Sequence, residues 1–410
     1  MRGAVLAPLV GGLAGCGDLA RTAGLGDYVR VAVSWSAAEL AAFQRVLDRP
    51  GNLDYELIPL GDDIGAALGA STTGRPDIVA LPQPGQVAGN LDTLESLPPE
   101  VWQPYYDQIW SQELPSASGE HFALPFKIAH ASVVWYRPRV FAELGLEPPT
   151  TWEDWLALNE SIIADGQAPL ALGGADGWLL ARFFENVLLR SFADTYDELA
   201  ARPDARAWAG GSVREAFEMV ATMWGRSGAL AGGPDRALVQ QFPDAVLEVF
   251  RYDRAAMVVA PDFAESVIRR FAGEDPDIGT FTFPGTGPLV ISGDLLVLTS
   301  PASEAAVRLI EYLARPDAPE PWITGTGGFI AANPMTDMRY YSPTLRGLAT
   351  DLRQRPLRFG LSDQLGRLGG SEGLQRVLQD LLRALADRTS PRDAADAACR
   401  QMVEAVHRTR

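Results

Sequence analysis

The sequence is almost without lysine. Of its 35 basic residues one is a lysine, Lys127, and the rest are arginine. A GC-rich genome that drifts from lysine to arginine is the simplest explanation, but the scarcity still excludes chemistry. A phosphate-binding loop needs Gly-Lys-Ser/Thr, whereas Lys127 stands in the run Pro-Phe-Lys-Ile. A Schiff-base enzyme would have this single candidate for its catalytic lysine.

Cysteine and histidine are also scarce. The two cysteines, Cys16 and Cys399, cannot build a disulfide framework or a cysteine-rich zinc site. The three histidines, His121, His130 and His407, lack the spacing of a zinc protease. Glycine-rich runs such as GTGPLVISG lack the spacing of a dinucleotide-binding motif. We therefore expect no metal and no cofactor.

Long apolar runs and excess positive charge are missing as well. After the N-terminus no apolar run reaches the roughly 20 residues that span a bilayer. The 52 acidic residues outnumber the 35 basic ones, which gives a net charge of −17. A chain this acidic repels phosphate backbones, so we expect no nucleic-acid partner. A length of 410 residues exceeds one ordinary core and predicts two or three lobes.

The N-terminus has the pattern of an export signal. Arg2 precedes an apolar stretch that ends in Leu-Ala-Gly-Cys at residues 13–16. This ending resembles a bacterial lipobox, in which a peptidase cuts before a cysteine that carries diacylglycerol. We expect a lipoprotein signal peptide over 1–16, lipidation at Cys16 and a flexible tether over 17–27. The alternative is an ordinary apolar terminus with a chance cysteine.

The rest of the chain alternates between strand and helix patterns. The helices are expected after Ser36, after Thr150 or Thr151 and from Ser300-Pro301, and late in the chain over 374–385 and 391–407. Residues 124–128 and 132–136 form either a strand pair or a bent strand. The alternation predicts an α/β fold with largely parallel sheets. The other expected strands are 29–33, 55–60, 77–81, 255–260, 280–283 and 295–299.

Residues 121–158, HFALPFKIAHASVVWYRPRVFAELGLEPPTTWEDWLAL, resemble the extracellular solute-binding proteins of carbohydrate ABC transporters. The segments 31–48, 76–87, 288–314, 325–333 and 358–363 agree with that family in order and spacing. Together these stretches extend over most of 28–375.

The resemblance implies a two-lobe fold of the type II periplasmic-binding-protein class. The lobes are joined by a hinge of several segments, and the ligand lies in the cleft between them. The N-terminal lobe is expected over 28–130 plus 290–335, and the C-terminal lobe over 131–289 plus 336–410. The implied partners are a sugar, such as a di- or short oligosaccharide α-glucoside, and a membrane permease. We expect an exported monomer, anchored to the outer face of the cytoplasmic membrane, that is not an enzyme and has no catalytic residues.

Sugar recognition needs polar groups for the hydroxyls and aromatic planes for the C–H faces. Such groups gather in loops at the carboxyl ends of strands. Each candidate has a structural alternative, such as helix capping, core packing, a turn or a surface ion pair. The expected ligand-binding residues are Ser34, Trp35, Ser36, Glu39, Gln83, Lys127, His130, Asp176, Trp178, Asp262, Phe263, Gly293, Asp294, Gly327, Gly328, Phe329 and Arg358.

The sequence departs from the family late in the chain, where many relatives place an aromatic residue over the sugar. Residues 366–373 read GRLGGSEG and contain no aromatic side chain, which favours a shorter ligand or one held more by hydrogen bonds. Two other functions stay open. A secreted glycoside hydrolase needs two carboxylates about 5–10 Å apart, which 52 acidic residues do not forbid. The same fold could also bind a polyamine, a metal or a phosphoester.

Overall fold

The computed structural model describes residues 28–35, 37–49, 53–70, 74–103, 105–106, 110, 113–114, 116–273 and 277–409. The predicted signal peptide, the tether, Cys16 and Ser36 lie outside the described residues. The strands are β1 Tyr28–Val33, β2 Asp54–Pro59, β3 Ile78–Leu81, β4 Leu94–Glu95, β5 Ser116–Ala117, β6 Glu120–His121, β7 Leu124–His130, β8 Val133–Tyr136, β9 Ala168–Ala171, β10 Ala255–Val259, β11 Gly279–Thr282, β12 Leu289–Thr299, β13 Ile330–Ala331 and β14 Leu357–Phe359.

Helices surround these strands, and short 3₁₀ turns occur between them. The helices are α1 Ala37–Leu47, α2 Pro84–Ala88, α3 Pro99–Trp102, α4 Pro138–Leu144, α5 Trp152–Ala164, α6 Trp178–Ser191, α7 Ala193–Ala201, α8 Ala205–Trp208, α9 Gly211–Gly225, α10 Gly233–Val239, α11 Phe242–Phe250, α12 Ala264–Phe271, α13 Glu304–Leu313, α14 Glu320–Gly325, α15 Pro343–Gln354, α16 Leu361–Gln364, α17 Leu374–Ala386 and α18 Pro391–Thr409.

Within the described residues the strands form two main sheets and a small hairpin, β5–β6. The larger sheet has the order β13-β7-β12-β3-β1-β2, with β4 and β14 also paired to β12. The smaller sheet has the order β11-β8-β10-β9. Helices pack on each sheet. The two main sheets, with their helices, correspond to the two lobes of the predicted α/β fold.

The expectation of largely parallel sheets was wrong. In the larger sheet β1 pairs in parallel with β2 and β3, but β12 runs antiparallel to β3, β4 and β7. In the smaller sheet β8 is antiparallel to both of its neighbours. The reason is that β7 runs directly into β8, and β11 directly into β12, across the passages between sheets, whereas a parallel neighbour needs a helical crossover.

Residues 124–128 and 132–136 do not form a strand pair. They belong to β7 and β8, which lie in different sheets, and the chain passes between the lobes at Ala131 and Ser132. The Ala131 amide donates to the Val290 carbonyl at 3.0 Å, and the Val290 amide donates to Ser132 Oγ at 2.8 Å. The outgoing and returning passages are thus bonded to each other, as a hinge of several segments requires.

Two local predictions also change. The strand expected over 295–299 is the second half of β12, whose first half pairs with β7. The helix expected to start at Ser300-Pro301 instead begins at Glu304, because the Ser303 side chain accepts the amide of Ala306 at 3.2 Å and caps it. The predicted cap at Thr151 is present, since its hydroxyl accepts the Asp154 amide at 3.1 Å.

The predicted division of the chain between lobes differs from the structure near the C-terminus. Residues 336–410 were assigned to the C-terminal lobe, but β14 pairs with β12 in the larger sheet. The buried face of α15, which includes Leu345 and Leu352, packs in the core that contains β1 and β12. Residues from Leu361 onward pack with the helices of the smaller sheet, including Leu180.

The last passage, after β14, is held by a buried arginine. Arg182 on α6 is 6% exposed, and its Nη2 donates to both carboxylate oxygens of Asp363 at 2.7 and 2.6 Å. Its Nη1 donates to Glu185 Oε2 at 2.7 Å. Glycine is required at position 360, because a Cβ there would lie 1.7 Å from Arg182 Nη1 and 2.7 Å from Glu185 Oε2.

We predict that Gly360→Ala lowers the free energy of unfolding by at least about 2 kcal/mol, because the methyl group must displace a buried ion pair. The matched control is Gly347→Ala, in the middle of α15, where an added Cβ meets nothing within 4 Å. There alanine should raise the free energy of unfolding by about 0.5–1 kcal/mol. Urea denaturation of both variants measures this. Equal effects of the two substitutions would contradict the assigned role of Gly360.

Candidate functional site

A cavity of about 940 Å³ lies between the two lobes. One wall, called here the first wall, comes from segments of the larger sheet: the loop and helix after β1, the loop after β3, the facing strands β7 and β12, and the α14 region. The opposite wall, the second wall, comes from segments around the smaller sheet: α6, the start of α11, the α12 region and Asp363. A ligand in this cavity would therefore contact both lobes.

Three charged side chains form a cluster in the first wall. The Lys127 ammonium donates to Glu39 Oε1 at 2.6 Å and lies 3.9 Å from Asp294 Oδ2. The lysine side chain is 6% exposed, whereas that of Glu39 is 39% exposed. We call Lys127, Glu39 and Asp294 the charge cluster. Its carboxylate oxygens offer acceptors to a ligand while the shared ammonium balances part of their charge.

Strand pairing places this cluster. Lys127 on β7 stands opposite Asp294 on β12, and the register shifts just after Asp294. The neighbouring Gly293 permits the approach of the two strands, because a Cβ there would lie 2.6 Å from the Lys127 carbonyl oxygen. Glu39 comes from the first turn of α1, at the end of β1. The cluster therefore joins three elements of the first wall.

Burial and charge shift the pKa values within the cluster. Burial lowers the pKa of Lys127, but the charges of Glu39 and Asp294 outweigh burial and raise that pKa above its ordinary value. Burial raises the pKa of Asp294 to about 6, although Lys127 acts in the opposite direction. Lys127 is therefore positively charged. Its ammonium is held in a buried position beside the carboxyl groups of Glu39 and Asp294.

Aromatic rings enclose the ammonium. Lys127 Nζ lies 5.5 Å from the ring centroid of Phe263, in the second wall, and 5.5 Å from that of Trp322, in the first wall. Phe263 in turn packs on Phe242 at a centroid distance of 5.3 Å. Trp35 packs edge-on against Trp322 at 5.0 Å. The cavity therefore has aromatic surface on both sides of its polar groups, as ligands with C–H faces require.

Two glycines bring the walls together at one end of the cavity. Gly327 and Gly328 have positive φ angles of 68° and 60°. A Cβ on Gly328 would lie 3.0 Å from the Ser266 Cβ, and one on Gly327 would lie 3.4 Å from Glu265 Oε2. This turn of the first wall thus touches α12 of the second wall through bare backbone.

The cavity brings together ten of the predicted ligand-binding residues. Their binding of a ligand stays a prediction, but the structure places them all in its lining, although they come from six separate segments of the chain. They are Ser34, Trp35, Glu39, Gln83, Lys127, Phe263, Gly293, Asp294, Gly327 and Gly328.

Two predicted residues lie buried next to the cavity. His130 is fully buried, and its Nδ1 accepts the amide of Ser132 at 3.3 Å, at the passage between lobes. Burial, together with the charges of Arg355 and Arg190, lowers the pKa of His130 to about 3, so it is uncharged. Asp262 is fully buried, and neither carboxylate oxygen has a hydrogen-bond partner among the described residues.

The remaining predicted residues lie outside the cavity lining. Phe329 is fully buried and packs on Phe126 at 5.4 Å, so its role is in the core. Trp178 is half-buried behind the aromatic wall, with its ring 5.4 Å from that of Phe242. Asp176 is exposed in the turn before α6. Arg358 donates from Nε to Asp197 Oδ1 at 2.9 Å and forms the surface ion pair that was its alternative.

Sequence reasoning missed several lining residues. Arg182 belongs to the second wall but lies in the interior of α6, where no strand end points to a site. Asp363 lies in α16, shortly after the end of β14. Phe242 is the first residue of α11. Trp322 lies in α14, and its position in the sequence is typical of a core residue. The available signals were the position of Phe242 directly after a loop and that of Asp363 shortly after a strand.

The described residues contain no group of three or more metal-binding side chains placed to hold an ion. In the same part of the chain no helix has both the length and the apolar composition needed to cross a membrane.

We predict that Asp262 makes the free energy of unfolding decrease as the pH rises from about 4, near the ordinary pKa of an aspartate, to about 7. Burial raises the pKa of Asp262 to about 7, above its value in the unfolded chain. The folded state therefore favours the protonated carboxyl, and that stability is lost as the pH passes the folded pKa. Asp262→Asn should flatten this dependence in urea titrations, whereas Asp176→Asn, at an exposed position, should not. An unchanged slope in Asp262→Asn would contradict the account.

Comparison with known proteins gives relatives over most of the chain. The chain is 27% identical over 322 residues to the osmoprotective compounds-binding protein GgtB of Synechocystis, a match that spans 72% of this chain and 73% of the relative. It is 29% identical over 280 residues to the α-glucosides-binding periplasmic protein AglE of Rhizobium meliloti, spanning 61% of this chain and 59% of AglE.

Solved structures match the fold at low sequence identity. The raffinose complex of the solute-binding protein RafE superposes with a TM-score of 0.73 and 15% identity, covering 92% of this chain and 99% of the other. A maltose-bound structure of MalE3 from T. maritima gives a TM-score of 0.68 with 17% identity, covering 92% and 98%. These matches confirm the predicted two-lobe fold.

The chain also matches the sequence model of a protein family. The model of the bacterial extracellular solute-binding proteins matches residues 60–319, which is more than half of the chain. The matched range includes β3, β7 and β12 of the larger sheet and all four strands of the smaller sheet, β8 to β11. The chain belongs to the bacterial extracellular solute-binding protein family.

Proposed function

We propose that this protein captures a sugar and delivers it to the permease of an ABC importer. The observation that carries the proposal is the cavity between the lobes, which has hydrogen-bonding groups and aromatic rings on opposing sides. Glu39 and Asp294 offer carboxylate acceptors to hydroxyls, and the ring of Phe263 faces them from the second wall. This combination suits a ligand with hydroxyl edges and C–H faces.

A short α-glucoside is the sugar class that the relatives favour. AglE is named for binding α-glucosides, and GgtB for osmoprotective compounds. The cavity volume of about 940 Å³ is in the upper range of small-molecule sites, which accommodates more than one sugar ring. The absence of an aromatic residue over 366–373 favours a di- or short oligosaccharide over a long chain.

Capture requires no bond-making step. The lobes are joined by passages that can bend, and a ligand that contacts both walls stabilises the closed arrangement over the open one. If the closed state is about 1% populated without ligand, a roughly 10⁴-fold preference of the ligand for it reverses the ratio. The protein would act as a monomer, exported and held at the outer face of the cytoplasmic membrane by a lipid on Cys16.

The cavity's geometry does not favour a glycoside hydrolase. A glycosidase places its two carboxylates on either side of the scissile bond. Glu39 and Asp294 instead share one ammonium in the first wall. In the second wall, Asp363 is held by two hydrogen bonds from Arg182. We therefore propose a receptor without enzymatic activity.

Calorimetric titration of the chain with glucose, maltose, trehalose and sucrose, together with the β-linked disaccharide cellobiose, tests the proposal. We expect at least one α-linked disaccharide to bind. Glu39→Gln should weaken that binding about tenfold or more, because the neutral amide is a poorer acceptor and leaves Lys127 without its partner.

The control for this titration is Glu304→Gln, whose side chain is 97% exposed at the start of α13 and does not line the cavity. It should bind as the unmodified chain does. No binding of any of these sugars, or equal losses in the two variants, would overturn the proposal.

A further inference from the structure

The surroundings of Lys127 are those of a binding site for a cation. Its ammonium lies 2.6 Å from one carboxylate oxygen and 3.9 Å from another, and aromatic rings lie 5.5 Å away on two sides. Carboxylates together with aromatic faces are the groups that proteins use to recognise amine and quaternary ammonium ligands. Here the protein's own side chain fills that position.

We propose that Lys127 is a specificity-determining residue, whose ammonium occupies a cation-binding cage within the cleft and thereby restricts the cavity to uncharged polyhydroxy ligands. The inference rests on the proposed function, since it concerns which sugars the cavity accepts. An amino sugar or an alkylammonium ion would have to place a second positive charge beside the first. A neutral sugar instead donates its hydroxyl protons to carboxylates whose charge the Lys127 ammonium already balances in part.

Among the described residues, the arginines that line the cavity have other contacts: Arg270, for example, lies 5.1 Å from the ring centroid of Phe271 on its own helix. The other buried cation that lines the cavity, Arg182, donates to Asp363 and Glu185 in the second wall. Arg269 lies at 2.9 Å from Glu265 Oε1 on its own helix. Removal of the Lys127 charge would therefore leave Glu39 and Asp294 facing the cavity without a balancing cation, which attracts a positively charged ligand.

The compact shape of lysine matters as well as its charge. The ammonium is a point charge on a flexible stem, and its surroundings leave the side chain 6% exposed. Asp294 lies on the strand directly opposite, and Gly293 fixes the strands at close approach. A planar guanidinium would have to displace Glu39 or a ring to fit. This gives a physical reason for the one lysine in a chain whose other 34 basic residues are arginine.

The test compares a neutral and a cationic probe of the same size. The probes are methyl α-D-glucopyranoside and methyl 2-amino-2-deoxy-α-D-glucopyranoside, titrated at pH 7 into the unmodified chain and into Lys127→Met. We expect the unmodified chain to favour the neutral probe at least tenfold, and Lys127→Met to shift the ratio toward the amino probe at least tenfold. Arg339→Met, at an 87% exposed arginine outside the cavity, should leave the ratio unchanged.

A second variant tests the cage with a cation alone. Lys127→Ala removes the ammonium and leaves space, so n-propylammonium should raise its melting temperature but not that of the unmodified chain. Sodium chloride at the same concentration serves as the ionic-strength control. Stabilisation of the variant supports the cage even where Lys127→Met folds poorly.

The outcomes separate this inference from the proposed function. If the unmodified chain binds the neutral sugar but Lys127→Met keeps the same ratio, and Lys127→Ala gains nothing from n-propylammonium, the role of Lys127 is overturned while the proposed function stands. If the unmodified chain binds none of the sugars, both are overturned.

Discussion

The structure depends on the pairing of one long strand. β12, Leu289–Thr299, bonds with β3, β4, β7 and β14 and thereby holds together segments that are up to 280 residues apart in the chain. Its first residues run beside the passage at Ala131 and Ser132, so the same strand belongs to the hinge and to the sheet. Its middle carries Gly293 and Asp294 into the cavity. Hinge and binding surface are therefore fixed by one register.

Both walls contain a buried cation, and both stabilise it in the same way. A buried cation is unfavourable unless opposite charges and hydrogen bonds surround it. In the first wall Lys127 lies between Glu39 and Asp294, and in the second wall Arg182 lies between Glu185 and Asp363. Each wall thus presents acceptors whose charge is partly balanced inside the protein. Such a surface suits neutral hydroxyls better than ions of either sign.

Local patterns in the sequence predicted most strands and helices, because alternation at β1 and capping at Thr151 act over a few residues. They did not predict that β7 and β8 lie in different sheets, since an apolar strand does not show its partner. The family resemblance predicted a fold of two lobes, and ten of the residues named with it line the cavity. Arg182 and Asp363 were missed because their contact joins positions 181 residues apart. Phe329 and Arg358 lie outside the cavity lining because they pack with Phe126 and Asp197, which are also far away in the sequence.

The central claim is that a sugar binds between the charge cluster and the aromatic second wall. The most direct measurement is a crystal structure of the chain with the tightest-binding disaccharide of the calorimetric series. We predict that a sugar hydroxyl lies within hydrogen-bond distance of Glu39 or Asp294 and that a face of a sugar ring lies against Phe263. A sugar bound elsewhere, with the cavity between the lobes filled by water alone, would contradict it.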